Sequence, residues 1–368
     1  MSERKRLAII FGGRSGEHEV SLMSARSVLS VLDTGRYDVL QIGITPSGHW
    51  LCGDDVIGCF EKHEYNSLSP VALLPEPRNG QIYTHEAGIL KPLTVIDVVF
   101  PLIHGTFGED GTLQGLLELA DLAYVGCGVL ASAVGMDKSL FKDVMRANNI
   151  PVVDSLLFTR GELEAGIESI LQQVETTFSY PVFVKPVNLG SSVGITRCTN
   201  RSSLMEGLMD AARFDRRVLV ERGINARELE VSVLGNENPI ASVPGEIQPQ
   251  EDFYTYSAKY ITNQSRLVIP AELDEATSRA ISATAVRAYK AIDGAGLARV
   301  DFLLDRQTGE YYLGEVNTIP GFTAISMYPK LWEAGGLTYS VLIDRLIDLA
   351  FERKHDRDLT VRTYRRDE

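Results

Sequence analysis

Two short runs of β-branched and aromatic residues near the end of the chain constrain its fold more than any other feature. The runs cover residues 298–304 and 311–317, and the connecting residues Asp-Arg-Gln-Thr-Gly-Glu are typical of a turn. This pattern predicts a β-hairpin. If the strands pair symmetrically about residue 308, Asp301 lies directly opposite Glu315. Two carboxylates that face each other across a sheet repel, so this pair requires an explanation.

The facing acids have two interpretations. Side chains alternate along a strand, so Arg299 shares a face with Asp301, and Asn317 shares a face with Glu315. A hard divalent cation would remove the repulsion, and two carboxylates with an amide oxygen suit Mg²⁺. A solvated polar face is the plainer interpretation, and for an isolated pair of acids it is the more common one. Arg299 and the glycine-containing turn after Asn317 favour a ligand site, because glycine lets the backbone approach a ligand.

Length and charge limit the possible classes of protein. The 368 residues exceed the ~250–300 at which a single hydrophobic core stops growing, which predicts two or three domains. Hydrophobic residues make up 44% and charged residues 23%, as in ordinary globular proteins. The formal net charge of −13 argues against a protein that binds nucleic acid or an anionic membrane non-specifically. A local basic site for a phosphate remains possible.

The sequence predicts no targeting segment, membrane span or zinc site. No apolar run reaches the ~18 residues of a membrane span. The charged start of the chain leads straight into a strand-like run, which does not fit a signal peptide. The four cysteines have neither CxxC spacing nor histidines at zinc-ligand spacing, so we expect reduced thiols in a cytoplasmic protein.

The N-terminal third of the chain predicts a doubly wound α/β domain. The apolar run 7–11 ends at two glycines, and apolar residues at helical spacing follow over 22–32. A second buried strand over 95–103 leads into a glycine-rich segment and another helix. Ligands of such sheets bind at the carboxyl ends of the strands. Residues 45–92 are rich in proline and glycine, and we interpret them as peripheral loops.

Two polar residues follow these predicted strands. Glu17 comes after the first glycine turn, where it could cap a helix or hold a substrate ammonium group. His104 follows the second strand, and a lone histidine is more often structural than functional.

The middle of the chain contains a candidate anion site. Consecutive N–H groups in the segment Gly190-Ser-Ser-Val-Gly form a nest for an anion, and Lys185 on the preceding strand adds a cation. The segment is not a Walker A loop, because GxxxxGK[ST] is absent, and such a loop is often only a turn. Lys138 lies at the start of a helix that Asp137 can cap, and Leu140, Phe141, Val144 and Met145 are its predicted buried stripe. Together with the downstream acids, these residues predict a phosphate clamp.

Two further segments have open interpretations. Glu221 and Glu228 flank a bend, and they could bind an adenine amine and ribose hydroxyls or lie in a solvated loop. The aromatic run 253–261 is either a buried strand or a loop that closes over a site and excludes water.

Taken together, the motifs resemble the D-alanine–D-alanine ligases of the ATP-grasp superfamily. The segments 11–21, 104–115, 297–302 and 315–323 are similar to that family's signatures and occur in the same order. The resemblance covers nearly the whole chain. It implies α/β and α+β domains in an ATP-grasp fold, with an N-terminal doubly wound parallel sheet and two mixed or antiparallel-sheet domains that clamp ATP.

The resemblance also implies domain limits and ligand contacts. An N-terminal substrate-binding domain would span 1–126, a central ATP-grasp subdomain 127–220, and a C-terminal ATP-grasp subdomain with the metal site 221–368. The residues that would contact ATP are Lys138, Lys185, Ser192, Glu221, Ile224 and Glu228. Those that would hold two Mg²⁺ ions, or Mn²⁺, are Asp301, Glu315 and Asn317.

The implied substrate contacts fall in three groups. Glu17 would bind the ammonium of the first D-alanine, assisted by Ser191 and Tyr260, with His104 beside that substrate. Arg299 and the N–H of Gly321 would form an oxyanion site. The carboxylate of the second substrate would bind at Ser326 and Met327.

The implied activity is the ATP-dependent ligation of two D-alanine molecules through an acyl phosphate, for peptidoglycan precursor synthesis. The implied partners are D-alanine, ATP and a second copy of the chain in a homodimer, with no nucleic acid or membrane. Tyr260 favours a dipeptide product, because some relatives that make D-alanyl-D-lactate have histidine there. A D-alanine–D-lactate ligase or another ATP-grasp carboxylate–amine ligase is the alternative. A nucleotide-sensing protein without catalysis would lack a metal ligand or a phosphate lysine, and none is missing.

Overall fold

A computed structural model of the protein describes residues 4–77, 80–190, 193–249 and 265–361. These residues form three β-sheets, of eight, four and six strands, which follow one another along the chain. Helices pack on each sheet, as expected for a mixture of α/β and α+β domains.

The first sheet is half parallel and half antiparallel. Its strands are β1 (Lys5–Gly12), β2 (Tyr37–Ile44), β3 (Trp50–Cys52), β4 (Ser69–Leu73), β5 (Gln81–Glu86), β6 (Ile89–Val95), β7 (Val98–Pro101) and β8 (Ala123–Tyr124). The strand order is β6-β5-β4-β3-β2-β1-β7-β8, and the pairs among β2, β1, β7 and β8 are parallel. The helices of this region are α1 (His18–Leu29), α2 (Val56–Glu61) and α3 (Thr112–Leu119). The predicted parallel sheet is therefore present, with an antiparallel extension.

The interpretation of residues 45–92 as peripheral loops was wrong. The segment contains β3 to β6, which continue the sheet as antiparallel neighbours. Gly48, Gly80 and Gly88 have positive φ angles and lie between consecutive strands of this segment. Turn residues at short intervals are typical of consecutive antiparallel strands as well as of loops, so composition alone was misleading.

The second sheet carries the predicted anion segment. Its strands are β9 (Ser155–Thr159), β10 (Val182–Pro186), β11 (Thr196–Cys198) and β12 (Arg217–Arg222), in the antiparallel order β11-β10-β12-β9. The helices that precede or cover it are α4 (Val129–Met136), α5 (Lys138–Ala147), α6 (Arg160–Thr177) and α7 (Arg201–Phe214). An apolar core between this sheet and α6 and α7 includes Leu171, Val184 and Leu208.

The predicted N-cap of α5 was correct, but one residue of its predicted buried stripe was wrong. Asp137 caps the helix by accepting from the N–H of Leu140, as predicted. The side chain of Leu140, expected in the buried stripe, is 47% exposed, whereas Lys142 is buried. The lysine takes the inner position because partners for its charge lie there.

The third sheet contains the predicted hairpin. Its strands are β13 (Ala226–Leu234), β14 (Ile240–Ala241), β15 (Gly245–Pro249), β16 (Ser265–Val268), β17 (Leu297–Asp305) and β18 (Tyr311–Asn317). The order is β16-β15-β13-β17-β18, with β14 paired to β13. The remaining helices of the described residues are α8 (Glu275–Ala291), α9 (Met327–Ala334) and α10 (Tyr339–Asp358). A core that includes Ile281 and Tyr289 of α8 and Phe302 of β17 supports the hairpin from behind.

The last helix returns to the first sheet. Leu342, Leu346 and Leu349 of α10 belong to the same buried cluster as Leu7 and Ile9 of β1. Strand β1 and helix α10 therefore share one core. The domain limits at 126 and 220 remain a prediction, and the first two sheets end at Tyr124 and Arg222.

Within the described ranges, no helix has the length and apolar character needed to cross a membrane.

We predict that Leu346→Ala destabilises the first sheet. Leu346 is fully buried, and a Leu→Ala change in a core costs about 3 kcal/mol. The control is Val341→Ala on the same helix, where the side chain is 50% exposed and the change should be within about 0.5 kcal/mol. Urea unfolding followed by tryptophan fluorescence measures both, and equal effects of the two variants would contradict the packing of α10 on the sheet.

Candidate active site

The hairpin has the predicted register. Asp301 pairs with Glu315, and Arg299 pairs with Asn317. The register shifts after Asp301, so that Phe302 pairs with Leu313 and the strands accommodate a bulge. The bulge lies directly beside the two acids, where it separates their polar face from the regular part of the hairpin.

Arg299 balances the acids of this face. Its Nε and Nη2 donate to the two carboxylate oxygens of Asp301, both at 2.7 Å. Its Nε also lies 3.1 Å from Oε2 of Glu230, a buried acid on β13 that pairs with Asp301 in the sheet. A guanidinium that contacts two carboxylates offsets the repulsion between them.

The carboxylates of Asp301 and Glu315 converge on the side-chain amide of Asn317. Its Nδ2 donates to Asp301 at 3.0 Å and to Glu315 at 3.4 Å, so one small group is within reach of both carboxylates. A hard cation at the position of Nδ2 would contact the two carboxylates. It would also contact the side-chain oxygen of Asn317 if the amide flipped. In the described parts of the chain, no cluster of three or more His, Cys, Asp or Glu residues is arranged to hold a metal ion, and the amide of Asn317 is the third polar group beside the two acids. The residue types present fit a divalent cation.

A lysine–glutamate–lysine triad lies on the second sheet. Oε1 of Glu221 is 2.8 Å from Nζ of Lys142, and Oε2 is 2.5 Å from Nζ of Lys185. Burial acts to raise the pKa of Glu221, but the two ammonium groups outweigh it and lower that pKa to about 2. Burial acts to lower the pKa of Lys185, and the charge of Glu221 reverses this and raises it. Burial lowers the pKa of Lys142, and the charge of Glu221 is the main opposing influence.

Lys138 approaches the glycine segment from α5. Its Nζ donates to the carbonyl of Leu189 at 2.5 Å, directly before Gly190. Burial lowers the pKa of Lys138, and the negative charge of Glu315 is the main opposing influence. Glu315 also acts to raise the pKa of Lys185. Glu315 of the hairpin is therefore near enough to both predicted phosphate lysines to influence the pKa of each.

Glu17 occupies the N-cap position of α1, and its carboxylate lies beside two glycines of other loops. It makes no side-chain capping hydrogen bond to the helix. A Cβ placed on Gly190 would lie 2.5 Å from its Oε1, and one on Gly105 would lie 3.1 Å from the same oxygen. The absence of a side chain at both glycines is what allows this carboxylate to reach the space between the first and second sheets.

His104 is buried and links the first sheet to the turn after the hairpin. Its Nδ1 donates to the carbonyl of Ile319 at 2.9 Å and lies 3.6 Å from Oε1 of Glu109, while Nε2 lies 2.9 Å from the hydroxyl of Ser24. Burial raises the pKa of Glu109 to about 7. Burial acts to lower the pKa of His104, but the neighbouring Glu109 raises it overall.

The turn after the hairpin leads to a helix start. Ser326 is the N-cap residue of α9, and its hydroxyl accepts from the N–H of Thr323 at 3.1 Å. A Cβ on Gly321 would lie 3.4 Å from this hydroxyl oxygen. The side chain of Met327 is buried in a core cluster, so a contact with an anion would come from its N–H in the first turn of α9.

The other predicted ATP contacts in the described residues lie on β13 and in the bend before it. Glu228 is on β13, where its charge acts on Lys185, and Ile224 is half-buried in the bend between β12 and β13. Ser191, Ser192 and Tyr260 lie outside the described residues, as does the aromatic run 253–261.

Two family models match the chain over most of its length. The D-ala D-ala ligase N-terminus matches residues 6–127, and the D-ala D-ala ligase C-terminus matches residues 144–348. The chain belongs to the D-alanine–D-alanine ligase family. Membership implies the use of ATP and of a divalent metal ion.

Individual members of the ligase family are similar over nearly their full length. The chain is 49% identical over 354 residues to a D-alanine–D-alanine ligase of Heliobacterium modesticaldum, with 96% of each protein covered. It is 50% identical over 364 residues to that of Ruminiclostridium cellulolyticum, with 96% of this chain and 97% of the relative covered.

Solved ligase structures share the fold. The D-alanine-D-alanine ligase of Coxiella burnetii has a TM-score of 0.84 and 36% identity, with 97% of each chain covered. The VanG D-Ala:D-Ser ligase of Enterococcus faecalis has a TM-score of 0.84 and 36% identity, with 95% of this chain and 100% of that chain covered. The predicted fold class is confirmed.

Three polar residues that contact the predicted site residues were missed from the sequence. Glu230 follows Glu228 at strand spacing on β13, and this alternation was a usable signal. Lys142 lies one helical turn after Lys138, which was a second signal. Glu109 offered no signal, because its role depends on the burial of His104 beside it.

We predict that Glu109→Gln makes stability less dependent on pH. A carboxyl whose pKa rises from 4.5 to about 7 on folding gives stability that is complete below pH 4.5 and lost as pH rises towards 7. The raised pKa of His104 acts in the same direction, and it depends on Glu109. Between pH 5 and 7.5 the variant should therefore gain about 1–3 kcal/mol relative to the unmodified protein.

Urea unfolding at several pH values measures this change. Glu164→Gln, at an exposed position of α6, is the control, and its free energy of unfolding should parallel that of the unmodified protein. A parallel curve for Glu109→Gln would contradict the buried pair.

Proposed function

We propose that this protein is an ATP-dependent ligase that joins two D-alanine molecules into D-alanyl-D-alanine for peptidoglycan precursor synthesis. The observation that carries the proposal is that the carboxylates of Asp301 and Glu315 converge on the amide of Asn317. These acids would hold a bridging metal ion, and Lys138 and Lys185, on whose pKa Glu315 acts, would supply cations for a polyphosphate. The relatives described above carry this activity in their names.

The chemistry requires activation of a carboxylate. A carboxylate is a poor acyl donor, because its leaving group would be oxide. Transfer of the terminal phosphoryl group of ATP to the first D-alanine would give an acyl phosphate and ADP. The amine of the second D-alanine would then attack the acyl carbon, lose a proton and release phosphate. Both groups in the first step are anionic, and Lys138 and Lys185 would screen them.

The metal site would lie on the hairpin. Asp301, Glu315 and Asn317 would hold two Mg²⁺ ions, with Mn²⁺ as an alternative, and Lys138, Lys185, Glu221, Glu228, Ile224 and Ser192 would surround ATP. A divalent cation in this position screens phosphate charge and polarises the phosphoryl group. The convergence of two carboxylates on the amide of Asn317 supports this assignment.

The amino-acid substrates would lie between the first sheet and the turn after the hairpin. The carboxylate of Glu17 would bind the ammonium of the first D-alanine, since it already reaches the Gly190 loop. Ser191 and Tyr260 remain its predicted partners, and His104 would lie beside this substrate. The N–H groups at Ser326 and Met327 would bind the carboxylate of the second D-alanine at the start of α9.

Arg299 and the N–H of Gly321 would stabilise the oxyanion of the tetrahedral intermediate. Removal of one such donor costs ~3–4 kcal/mol in other enzymes. A guanidinium has five N–H donors, so pairing with Asp301 and donation to a substrate oxygen are compatible. A homodimer remains a prediction that rests on the resemblance.

The second substrate is the least constrained part of the proposal, because one structural neighbour is named a D-Ala:D-Ser ligase. Phosphate release in the presence of ATP and Mg²⁺ should require D-alanine and should not occur with L-alanine. In competition with D-serine or D-lactate at neutral pH, the main product should be D-alanyl-D-alanine. Equal stimulation by L-alanine would refute the proposal, and a predominant D-serine or D-lactate product would replace it with the corresponding alternative.

We predict that Glu315→Gln lowers kcat by at least about a hundredfold, because it removes a charged metal ligand while it keeps the shape of the side chain. Saturating D-alanine should not restore the rate, and the concentration of Mg²⁺ at half-maximal activity should rise. Glu310→Gln is the matched control: this acid lies exposed at the far end of the same hairpin and accepts from Tyr312. A near-normal rate for Glu315→Gln would remove this residue from the metal site.

A further inference from the structure

Lys142 is a buried lysine that the reaction described above does not use. It lies one turn after Lys138 on α5, and its side chain is 2% exposed. Its Nζ donates to the carbonyl oxygen of Val153 at 2.9 Å and lies 2.8 Å from Oε1 of Glu221. Removing an ammonium group from water is costly, and a buried ion pair is weak support for stability. The fold gains little from this charge, which points to a role in the neighbouring site.

The carboxylate of Glu221 is divided between two lysines. Lys142 holds Oε1, and Lys185 holds Oε2 at 2.5 Å. Two ammonium groups and one carboxylate leave a net charge of +1 on the triad. Without Lys142, the pair of Lys185 and Glu221 would be neutral. Movement of Lys185 towards a ligand would then leave a buried carboxylate without its counter-charge, which is strongly unfavourable.

We infer that Lys142 is a positioning residue for the nucleotide: it holds Glu221 so that the ammonium of Lys185 can leave that carboxylate and bind the phosphates of ATP. The inference rests on the proposed function, because it takes ATP as the ligand. The inferred effect of Lys142 on ATP binding requires that Lys142 and Lys185 share the carboxylate of Glu221. It does not arise from positive charge near the site in general.

Lys142→Met tests the inference, because it removes the charge and keeps most of the apolar stem. The KM for ATP should rise by about tenfold or more, while kcat at saturating ATP should change by less than about threefold. Arg146→Met is the matched control. Arg146 lies one turn further along α5 and pairs with Asp143 at 3.0 Å on the surface, so the KM for ATP should stay within about twofold.

A second variant separates this role from simple packing. In Lys142→Met/Glu221→Gln the neutral amide needs no counter-charge, so the KM for ATP should match that of Glu221→Gln alone within about twofold. A thermal melt shows whether Lys142→Met is folded at the assay temperature. If it is not, the comparison of the double variant with Glu221→Gln tests the inference by itself. The inference is overturned if Lys142→Met keeps the KM of the unmodified enzyme. It is equally overturned if Lys142→Met raises the KM for ATP by the same factor in the Glu221→Gln background as in the unmodified enzyme.

Calorimetric titration with a non-hydrolysable ATP analogue repeats the comparison without turnover and should show the same order of affinities. An unmodified protein that does not ligate D-alanine would refute the proposed function. An active ligase whose affinity for the analogue is unchanged by Lys142→Met would refute only the role of Lys142.

Discussion

The active-site region depends on the pairing of buried charges between segments that are distant in sequence. Arg299 on β17 holds Glu230 on β13, and Lys142 on α5 holds Glu221 on β12. A buried charge without a partner is far more costly than a buried charge in a pair, so these contacts tolerate little displacement of the strands. A slip of one residue in β17 would turn Asp301 into the apolar core. Charge pairing and core packing therefore specify the same register.

Three serine hydroxyls on α1 form hydrogen bonds to the first sheet and to the turn after the hairpin. Ser21 accepts from the N–H of Gly12 at 2.7 Å and donates to the carbonyl of Leu102 at 2.5 Å. Ser24 contacts His104, and Ser27 accepts from the N–H of Ala324 at 3.0 Å. These serines recur every three residues and lie on one helix face. They place the proposed site for the second substrate against the proposed site for the first.

The success of sequence reasoning depended on how local the controlling interactions were. The hairpin register followed from two strand-like runs around a short turn, and the cap at Asp137 followed from its own helix. The inner face of α5 did not follow. Hydrophobicity favours Leu140 over Lys142 for burial, but Glu221 and the carbonyl of Val153 provide partners for the lysine there. The antiparallel extension over residues 45–92 was missed because its strands are short and its turns are rich in proline and glycine.

The sequence by itself determined the family, the order of its motifs and the residue types that we propose for binding phosphate, metal and amino-acid ligands. These properties are local, since strand alternation, helix capping and turn chemistry act over a few residues. Only the tertiary structure decided which charges meet. It divided Glu221 between two lysines, added Glu230 to the pair of Arg299 and Asp301, and placed α10 on the first sheet. Such contacts depend on the burial and register of several elements at once, which no local pattern encodes.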